Sequence, residues 1–414
     1  MNRFSLFFIA LAWALGAGAQ MPKAIRVEGA HLVDEDGKRV LLHGVMDTPS
    51  PYFNTWRWGR ETKDENVEAC VTYFDRLFTA ITDTAQGAYC NVFRLHLDPC
   101  WTNDPATPRT GDDGGEANIS QFSEAGLRKY LDTLYWPIIR RGLNHGLHIV
   151  VRPPGVCPRD ITVGGEYHRY LLLVWDIVSK HDSIRSHAGQ VSLELANEPV
   201  NVLPDPNNIQ RHSTAFNNNK PHHPAPALHD FFQPIVDEIR AKGYTGFIWV
   251  PGAGWQSHYE EYAAHPIEGE NIGYAAHAYV GWYGCDDTAT GDRFIEGFRR
   301  SVPVVTTNPI FITEVDWSPL KEGRGHYNEH GDWVPGNHGT WATGTTSGWG
   351  RAFKQMKDHF GNISMTLTAT SDLIDIDRYL KDGVVEPSFD GNPEACAKAC
   401  MDWYRDYHKQ AIQQ

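Results

Sequence analysis

The sequence lacks several features that would assign it to particular protein classes. Beyond its first twenty residues no segment approaches 18 consecutive apolar residues, so we expect a soluble mature chain without a membrane span. Its seven cysteines show no CxxC spacing, which argues against a zinc site. Basic residues are not in excess, and a net charge of -14 argues against nucleic acids and anionic membranes as partners. We find no internal repeat and no linker to a second domain.

The first residues have the pattern of a secretory signal peptide. Arg3 precedes an apolar run from Leu6 to Leu15, and Ala17-Gly-Ala19 forms a small-residue cleavage site. A buried N-terminal helix is the alternative. We therefore expect residues 1–19 to be removed and residues 20–414 to form a single catalytic domain, secreted or periplasmic.

Export would permit disulfide bonds. Cys100 and Cys157 follow neighbouring predicted strands, so they are a candidate pair, with free thiols as the alternative. An odd number of cysteines leaves at least one thiol without an intramolecular partner.

Strands and helices alternate along most of the chain, which predicts parallel strand pairing. Eight such strands and a closing helix fit a (β/α)8 TIM barrel, and an open doubly wound sheet is disfavoured because no GxGxxG follows an early strand. A hairpin around Asp36-Gly37 is expected to cap the bottom of the barrel. The predicted strands are 40–45, 91–97, 147–152, 191–197, 246–250, 273–279, 309–315 and 363–369.

Two carboxylates lie at the ends of predicted strands. Val191–Pro199 is a mostly apolar strand that stops at proline, with Asn197 and Glu198 at its tip, and Glu314 ends the seventh strand. The strand tips of a closed barrel face one cleft. Glycoside cleavage needs such a pair, and a separation of about 5 to 5.5 Å would make the reaction retaining. Structural ion pairing is the alternative role for either glutamate.

Five short motifs lie at predicted strand ends. In the order of the strands they are Leu42-His-Gly44-Val, Val92-Phe-Arg94-Leu, Leu195-Ala-Asn197-Glu198-Pro199, Ala276-His277-Ala-Tyr279 and Ile312-Thr-Glu314. Together they resemble the motifs of glycoside hydrolase family 5, whose members are retaining barrel hydrolases. The resemblance extends over nearly the whole mature chain.

The resemblance implies a role for each matching residue. Glu314 would be the nucleophile, with Arg94 and Tyr279 holding its charge and orientation, and a nearby arginine lowers the pKa of a carboxylate. Glu198 would be the general acid and then the general base. The remaining two matches would be Asn197, bonded to the sugar 2-hydroxyl, and His277, beside Glu198 or the nucleophile.

The sequence departs from the family pattern at two strand ends. The third strand ends in Val151-Arg-Pro-Pro154 where the family has histidine, and Thr368–Asp372 after the eighth strand lacks the family's tryptophan. Aromatic rings at strand tips can stack on sugars, although core packing is the common alternative. The candidate substitutes are His96, Trp255, Trp282 and Trp317.

These observations lead us to expect a secreted, retaining endo-β-1,4-glycanase that acts on a plant cell-wall polysaccharide, most naturally a β-glucan of the cellulose type. An endo-xylanase or endo-mannanase with the same catalytic pair is the first alternative, and a transglycosylase or a non-catalytic carbohydrate-binding barrel are others. We expect a monomer that needs no metal ion or other cofactor.

Overall fold

A closed barrel of eight parallel strands organises the fold. The computed structural model describes residues 21–207, 226–286, 288–315, 326–327, 333–334, 348–389 and 397–413. In chain order the strands are β1 (Ile25–Glu28), β2 (His31–Asp34), β3 (Arg39–Val40), β4 (His43–Asp47), β5 (Val92–His96), β6 (His148–Arg152), β7 (Asp160–Thr162), β8 (Val191–Glu194), β9 (Asn201–Leu203), β10 (Ile248–Pro251), β11 (Ile272–Ala278), β12 (Ile310–Val315), β13 (His326–Tyr327), β14 (Trp333–Val334) and β15 (Ile363–Leu367).

The barrel strands follow one another around the ring in the order β4, β5, β6, β8, β10, β11, β12 and β15, and β15 pairs with β4 to close it. Every residue of β12 is buried, as is typical of parallel strands that are covered on both faces. The predicted (β/α)8 barrel is confirmed, and the open-sheet alternative is wrong. Each predicted strand overlaps an observed one, although the first begins at His43 rather than residue 40.

Helices surround the barrel and connect its strands. The connection from β10 to β11 has only one-turn helices, whereas a π-helical segment, Leu131–Tyr135, joins α3 to α4. The helices are α1 (Val67–Ile81), α2 (Pro99–Thr102), α3 (Glu124–Tyr130), α4 (Trp136–Asn144), α5 (Glu166–Lys180), α6 (Asp182–Ser186), α7 (Ala227–Ala241), α8 (Ala253–Gln256), α9 (Gly291–Ser301), α10 (Gly348–Phe360), α11 (Ile376–Asp382) and α12 (Ala397–Gln413). None of these described helices has the length and apolarity that crossing a membrane requires.

The strands β1, β2 and β3 form an antiparallel meander at the start of the chain. Ile25 and Leu32 of this meander share a buried cluster with Val92, Val150 and Trp249 from the barrel interior. These contacts close the end of the barrel at which its strands begin, so the expected cap is present, with a third strand added to the hairpin. The opposite end, where the strands finish, is left for the site.

The candidate disulfide between Cys100 and Cys157 is absent, and the free-thiol alternative holds for both residues. The Cys100 sulfur lies 3.7 Å from the Ser50 hydroxyl, in the loop that follows β4. The backbone N–H of Cys157 instead donates to the Asn197 carbonyl at 2.8 Å, beyond β8. Cys100 is therefore held toward the loop after β4, whereas Cys157 is held toward the loop after β8. Cys396 and the expected signal peptide lie outside the described residues.

Lys357 on α10 is a buried cation whose replacement should stabilise the protein. Its Nζ lies 4.0 Å from the centre of the Tyr407 ring and has no hydrogen-bond partner in the described part of the chain. Burial lowers the pKa of Lys357 from 10.5 to about 7. Between those pH values the unfolded chain binds one more proton than the folded chain, so the free energy of unfolding rises with pH there.

We therefore expect Lys357→Met to raise the free energy of unfolding at pH 6 by about 2–3 kcal/mol, since the desolvation penalty exceeds the cation–π attraction that is lost. The gain should shrink as the pH rises from 7 to 10.5 and level off above about pH 11, where the lysine is neutral in both states. Urea denaturation of both proteins at the two pH values measures this. An equal gain in the free energy of unfolding at both pH values would show that packing, not charge, is responsible.

Candidate active site

Glu198 is placed by an unusual backbone turn beyond the end of β8. Its φ of 56° lies in the left-handed region, which a residue with a side chain adopts only when neighbouring contacts hold it there. Its backbone N–H donates to Oε1 of Gln256 at 2.7 Å, and this bond from the loop after β10 provides such a contact. The turn directs a half-buried Glu198 carboxylate to the mouth of the barrel.

Glu314, near the end of β12, has a hydrogen-bond donor on each carboxylate oxygen. Arg94 Nη1 donates to Oε1 at 2.8 Å, and the Tyr279 hydroxyl donates to Oε2 at 2.7 Å. Burial alone would raise the pKa of Glu314, but the neighbouring His277 and Arg94 and these two hydrogen bonds lower it from 4.5 to about 2. Glu314 is therefore ionised at any pH at which the protein is expected to work.

His277 lies between the carboxylates of Glu198 and Glu314. Strand pairing sets His277 on β11 directly beside Glu314 on β12. The Nδ1 atom of the buried histidine lies 3.2 Å from Glu198 Oε1 and 3.6 Å from Glu314 Oε2. One carboxylate oxygen of Glu198 and one of Glu314 lie within 4.8 Å of each other. The structure thus brings together the two glutamates that the sequence singled out.

Glu198, His277 and Glu314 also have the donor types of a metal site. A metal ion there would lie next to the Arg94 guanidinium, whose Nη1 is only 2.8 Å from Glu314 Oε1. Because the two cations would repel each other at this range, the arrangement suits a reaction in which both carboxyl groups act on a substrate better than it suits metal binding.

Glu194 is a buried acid that the sequence interpretation missed. It is fully buried on β8 and forms a bidentate pair with Arg94, at 2.6 Å from Nε and 3.0 Å from Nη2. Arg94 Nη2 also donates to Asn197 Oδ1 at 2.7 Å. One buried guanidinium therefore joins Glu194, Glu314 and Asn197, and its rigid fork suits this arrangement.

Two neutral side chains complete the surroundings of Glu194. Thr313 Oγ1 donates to Glu194 Oε1 at 2.8 Å, and Gln256 Nε2 lies 3.2 Å from the same oxygen. Because Gln256 also accepts the backbone N–H of Glu198, it links the buried pair to the half-buried glutamate. A charged residue within an apolar strand was the available signal for Glu194, since a buried carboxylate requires a partner.

Arg152 occupies the end of β6, where the family pattern has histidine. It is buried, and its Nη2 lies 2.6 Å from His96 Nδ1. Burial and the charges of Arg152 and Arg94 lower the pKa of His96, so this imidazole is neutral and its Nδ1 accepts from Arg152. Both side chains line the cleft that contains Glu198 and Glu314.

The candidate tryptophans have different environments. Trp255, after β10, is about half exposed, and its backbone N–H donates to the Pro199 carbonyl at 2.9 Å. Trp282 is half-buried and packs edge-on against the Tyr279 ring, with centroids 5.0 Å apart. Trp317 lies outside the described residues. Trp282 therefore supports the Tyr279 that bonds Glu314, and Trp255 adjoins Glu198.

The cleft has a volume of about 540 Å³. Thr368 and Thr370 line it after β15, where the family's tryptophan is missing, and Asp47 lines it at the end of β4. Burial raises the pKa of Asp47 from 3.8 to about 6, although hydrogen bonds from Thr48 and Asn54 oppose the rise. Asp47 is a second acid that the sequence interpretation missed, because a lone aspartate at a strand end is common.

Comparisons with known proteins identify the class of this protein. The family model described as cellulase (glycosyl hydrolase family 5) matches residues 186–340. This stretch includes Glu198, His277, Tyr279 and Glu314. The chain is a glycoside hydrolase. The predicted resemblance to glycoside hydrolase family 5 is confirmed.

Solved structures show the same fold. A β-glucanase from Saccharophagus degradans is 14% identical with a TM-score of 0.55, over 99% of this chain and 98% of that one. The catalytic domain of an endoglucanase from Thermobifida fusca is 17% identical with a TM-score of 0.51, over 92% of this chain and 97% of that one. The search of curated proteins found no match. Identities this low establish the barrel fold, not the substrate.

Proposed function

We propose that this protein is a secreted, retaining endo-β-1,4-glycanase that hydrolyses a plant cell-wall polysaccharide, with a β-glucan of the cellulose type as first substrate. The observation that carries the proposal is that one carboxylate oxygen of Glu198 and one of Glu314 lie within 4.8 Å of each other. Inverting enzymes keep their carboxyl groups about 6.5–9.5 Å apart to admit a water molecule, whereas retaining enzymes need about 5–5.5 Å. The match to a family model described as cellulase supports the choice of substrate, and the β-glucanase and endoglucanase neighbours share the fold.

In the first step the Glu314 carboxylate attacks the anomeric carbon while Glu198 gives its proton to the glycosidic oxygen. The carbon–oxygen bond to the leaving sugar breaks, and a glycosyl ester with Glu314 forms with inverted configuration. The low pKa of Glu314, near 2, keeps this group ionised and ready to attack. Arg94 and Tyr279 fix both of its oxygens, so little reorganisation is needed.

In the second step Glu198, now a carboxylate, removes a proton from water. The water oxygen attacks the anomeric carbon, the ester to Glu314 breaks, and the second inversion restores the original configuration. Asn197 accepts from Arg94 through Oδ1, which leaves its amide nitrogen as the end that can donate to the sugar 2-hydroxyl. His277 lies between the carboxylates, with its Nδ1 atom 3.2 Å from Glu198 Oε1 and 3.6 Å from Glu314 Oε2.

The stereochemistry of the product tests this proposal. Proton NMR of a fresh digest should show the β-anomer of the new reducing end first, with the α-anomer growing only by mutarotation. The α-anomer appearing first would contradict the assignment of Glu314 as nucleophile. The digest should use whichever polymer is cleaved among carboxymethylcellulose, mixed-linkage glucan, xyloglucan, xylan and mannan, with products separated by size.

The same panel distinguishes the remaining alternatives. Release from xylan or mannan alone would identify an endo-xylanase or endo-mannanase with the same catalytic pair, and products longer than the substrate would identify a transglycosylase. No release from any polymer by a folded protein would favour a carbohydrate-binding barrel. We further propose that the mature form is residues 20–414, since Arg3 and the apolar run that follows have the signal-peptide pattern, and that it acts as a monomer.

A further inference from the structure

Arg152 is a buried cation in the wall of the cleft that no carboxylate neutralises. It is 3% exposed at the end of β6, and it lines the cleft that contains the two catalytic glutamates. Among the described residues Arg152 forms no ion pair, in contrast to Arg94, which is paired with both Glu194 and Glu314. A fully buried arginine is rarely found without an anionic partner, because an uncompensated buried charge is costly.

The groups around the Arg152 guanidinium leave hydrogen-bond donors unused. Nη1 donates to the Gly155 carbonyl and Nη2 donates to His96 Nδ1, which uses two of the five N–H groups of an arginine. Nε has no partner in the described part of the chain. The neutral His96 carries its proton on Nε2, since Nδ1 is the acceptor, and this second N–H has no described partner either. The pair therefore offers positive charge and donors without a matching acceptor.

Glu116 is the acid with the largest influence on Arg152, but it does not compensate the charge. Burial and the charge of Arg94 lower the pKa of Arg152, and the opposing effect of Glu116 is smaller than either. The segment is also held in place by its backbone. Gly155 has a φ of 77°, and a Cβ atom there would lie 2.2 Å from the Glu116 carbonyl oxygen. This close packing keeps the Arg152–Gly155 turn where it is, so the missing anion has to come from outside the described chain.

The position of Arg152 in the barrel suits an anion that arrives with the substrate. In the ring of strands β6 adjoins β8, after which Glu198 follows, and it is four strands from β12 in either direction. Arg152 thus lies beside the proton donor and across the barrel from the nucleophile Glu314. An anion at Arg152 would be kept away from the Glu314 carboxylate, and a negative charge near Glu198 favours the protonated form that the first step requires.

The net charge of the protein limits the kind of acidic substrate. At -14, the protein would repel a densely charged polyanion as a whole. A single acidic sugar in an otherwise neutral polymer meets little of this repulsion, because salt screens charges that lie more than about 8 Å away. The contact with a buried guanidinium is screened much less. An isolated acidic group is therefore the partner that fits both the local and the overall charge.

We propose that Arg152, with His96 beside it, binds the carboxylate of an acidic sugar, so that the preferred substrate is a β-glycan with scattered uronosyl residues. The inference rests on the proposed function and specifies its substrate class. A guanidinium and a carboxylate form two parallel charge-assisted hydrogen bonds, a geometry that the family's histidine at this strand end cannot provide. A neutral sugar hydroxyl would accept a hydrogen bond but would leave the charge of Arg152 uncompensated.

The test compares an acidic substrate with its neutral counterpart. The acidic probe is glucuronoxylan for a xylan backbone, or an oligosaccharide partly oxidised at C6 for a glucan or mannan backbone. Reduction of the carboxyl groups converts each uronosyl residue into the neutral sugar on the same backbone. The wild-type kcat/KM should be about ten- to hundredfold higher on the acidic form, as expected for a hydrogen-bonded charge pair. Mass spectrometry of the products should find the acidic sugar at one fixed distance from the cleaved bond.

Three variants assign this preference to Arg152. Arg152→Met should lose most of it and place the acidic sugar at random in the products, and it should fold because no described carboxylate loses a partner. Arg152→Lys keeps the charge without the planar fork and should retain part of the preference. Arg57→Met is the matched control. Arg57 lines the same cleft but is already paired with Asp377 at 2.6 Å, so its removal should leave the ratio of the two rates unchanged.

Two results would overturn the inference while leaving the proposed function intact. One is a wild-type enzyme that cleaves the neutral form as fast as the acidic form, or faster. This comparison needs no variant, so it decides even if Arg152→Met fails to fold. The other is a preference that survives in folded Arg152→Met. A wild-type protein that cleaves neither form, nor any polymer of the panel, would refute the proposed function itself.

Discussion

Glu314→Gln should reduce hydrolysis of the best polymer by at least about 10⁴-fold, while the protein remains folded. The amide is nearly the same size as the carboxylate but cannot form the glycosyl ester. Initial rates of reducing-sugar release measure the loss, and circular dichroism with thermal unfolding checks the fold. Residual activity above about 1% would show that Glu314 is not the nucleophile.

Glu198→Gln is the matched comparison, because it removes the proton donor instead. Its loss should be as large on a polymer but much smaller on a dinitrophenyl glycoside, whose leaving group departs without protonation. The intermediate should then accumulate, since water lacks its general base. Glu314→Gln should show no such recovery on the activated substrate.

Azide separates the two roles by stereochemistry. In Glu314→Ala, azide can enter the space of the missing carboxylate and attack the anomeric carbon directly, which gives the α-glycosyl azide. In Glu198→Ala the glycosyl ester with Glu314 still forms from an activated substrate, and azide then displaces it to give the β-glycosyl azide. The same anomer from both variants would contradict the assignment of the two glutamates.

The barrel could be predicted from the sequence because its pattern is repeated and redundant. The apolar run of β12 and the helical spacing of α1 each predict their element locally, and an error of a few residues in one strand does not change the topology. The start of β4 illustrates this: the strand begins at His43 rather than residue 40, yet it still pairs with β5 and β15.

The catalytic pair could be predicted because strand ends converge in a barrel, whatever their separation in sequence. The left-handed turn at Glu198 could not, since it depends on Gln256 in a loop 58 residues away. Glu194 was not predicted from the sequence for a different reason. Its partner Arg94 was assigned to Glu314 alone, although a guanidinium has five N–H donors and can serve several acceptors.

Loop conformation limited the remaining predictions. Cys100 and Cys157 follow adjacent strands, but the turns after those strands carry them toward Ser50 and Asn197. Sequence alone does not specify such turns, because each depends on contacts with other loops. The loop after β4 is a further example, since Tyr52 and Phe53 are exposed there and are followed by a left-handed turn at Thr55, with a φ of 51°.

Arg94→Met should have the second large effect, on stability as well as on activity. It would leave Glu194, which is fully buried, without its cation, and breaking a buried ion pair from one side costs about 3–5 kcal/mol. Burial would lower the pKa of Arg94, but the charges of Glu194 and Glu314 outweigh burial and raise it, so the wild-type arginine is always charged. Urea denaturation near pH 7 measures the loss of stability.

The pH dependence of kcat/KM reports the catalytic part of this change. Arg94 stabilises the ionised form of Glu314, so its removal should raise the pKa of Glu314 from about 2 and move the acid limb of the profile to higher pH. Arg94→Lys keeps the charge but cannot bond Glu194, Glu314 and Asn197 together. This variant should lose kcat with a smaller displacement of the acid limb.

The double variant Arg94→Met/Glu194→Gln separates the two roles of the arginine. Removing the unpaired carboxylate should restore much of the stability that Arg94→Met loses, because the fully buried acid at position 194 is then replaced by a neutral amide. Activity should not recover, since Glu314 still lacks its cation. If the double variant regains activity along with stability, Arg94 serves the fold alone. If it regains neither, the loss in Arg94→Met comes from packing around Met46 and not from the buried charge on Glu194.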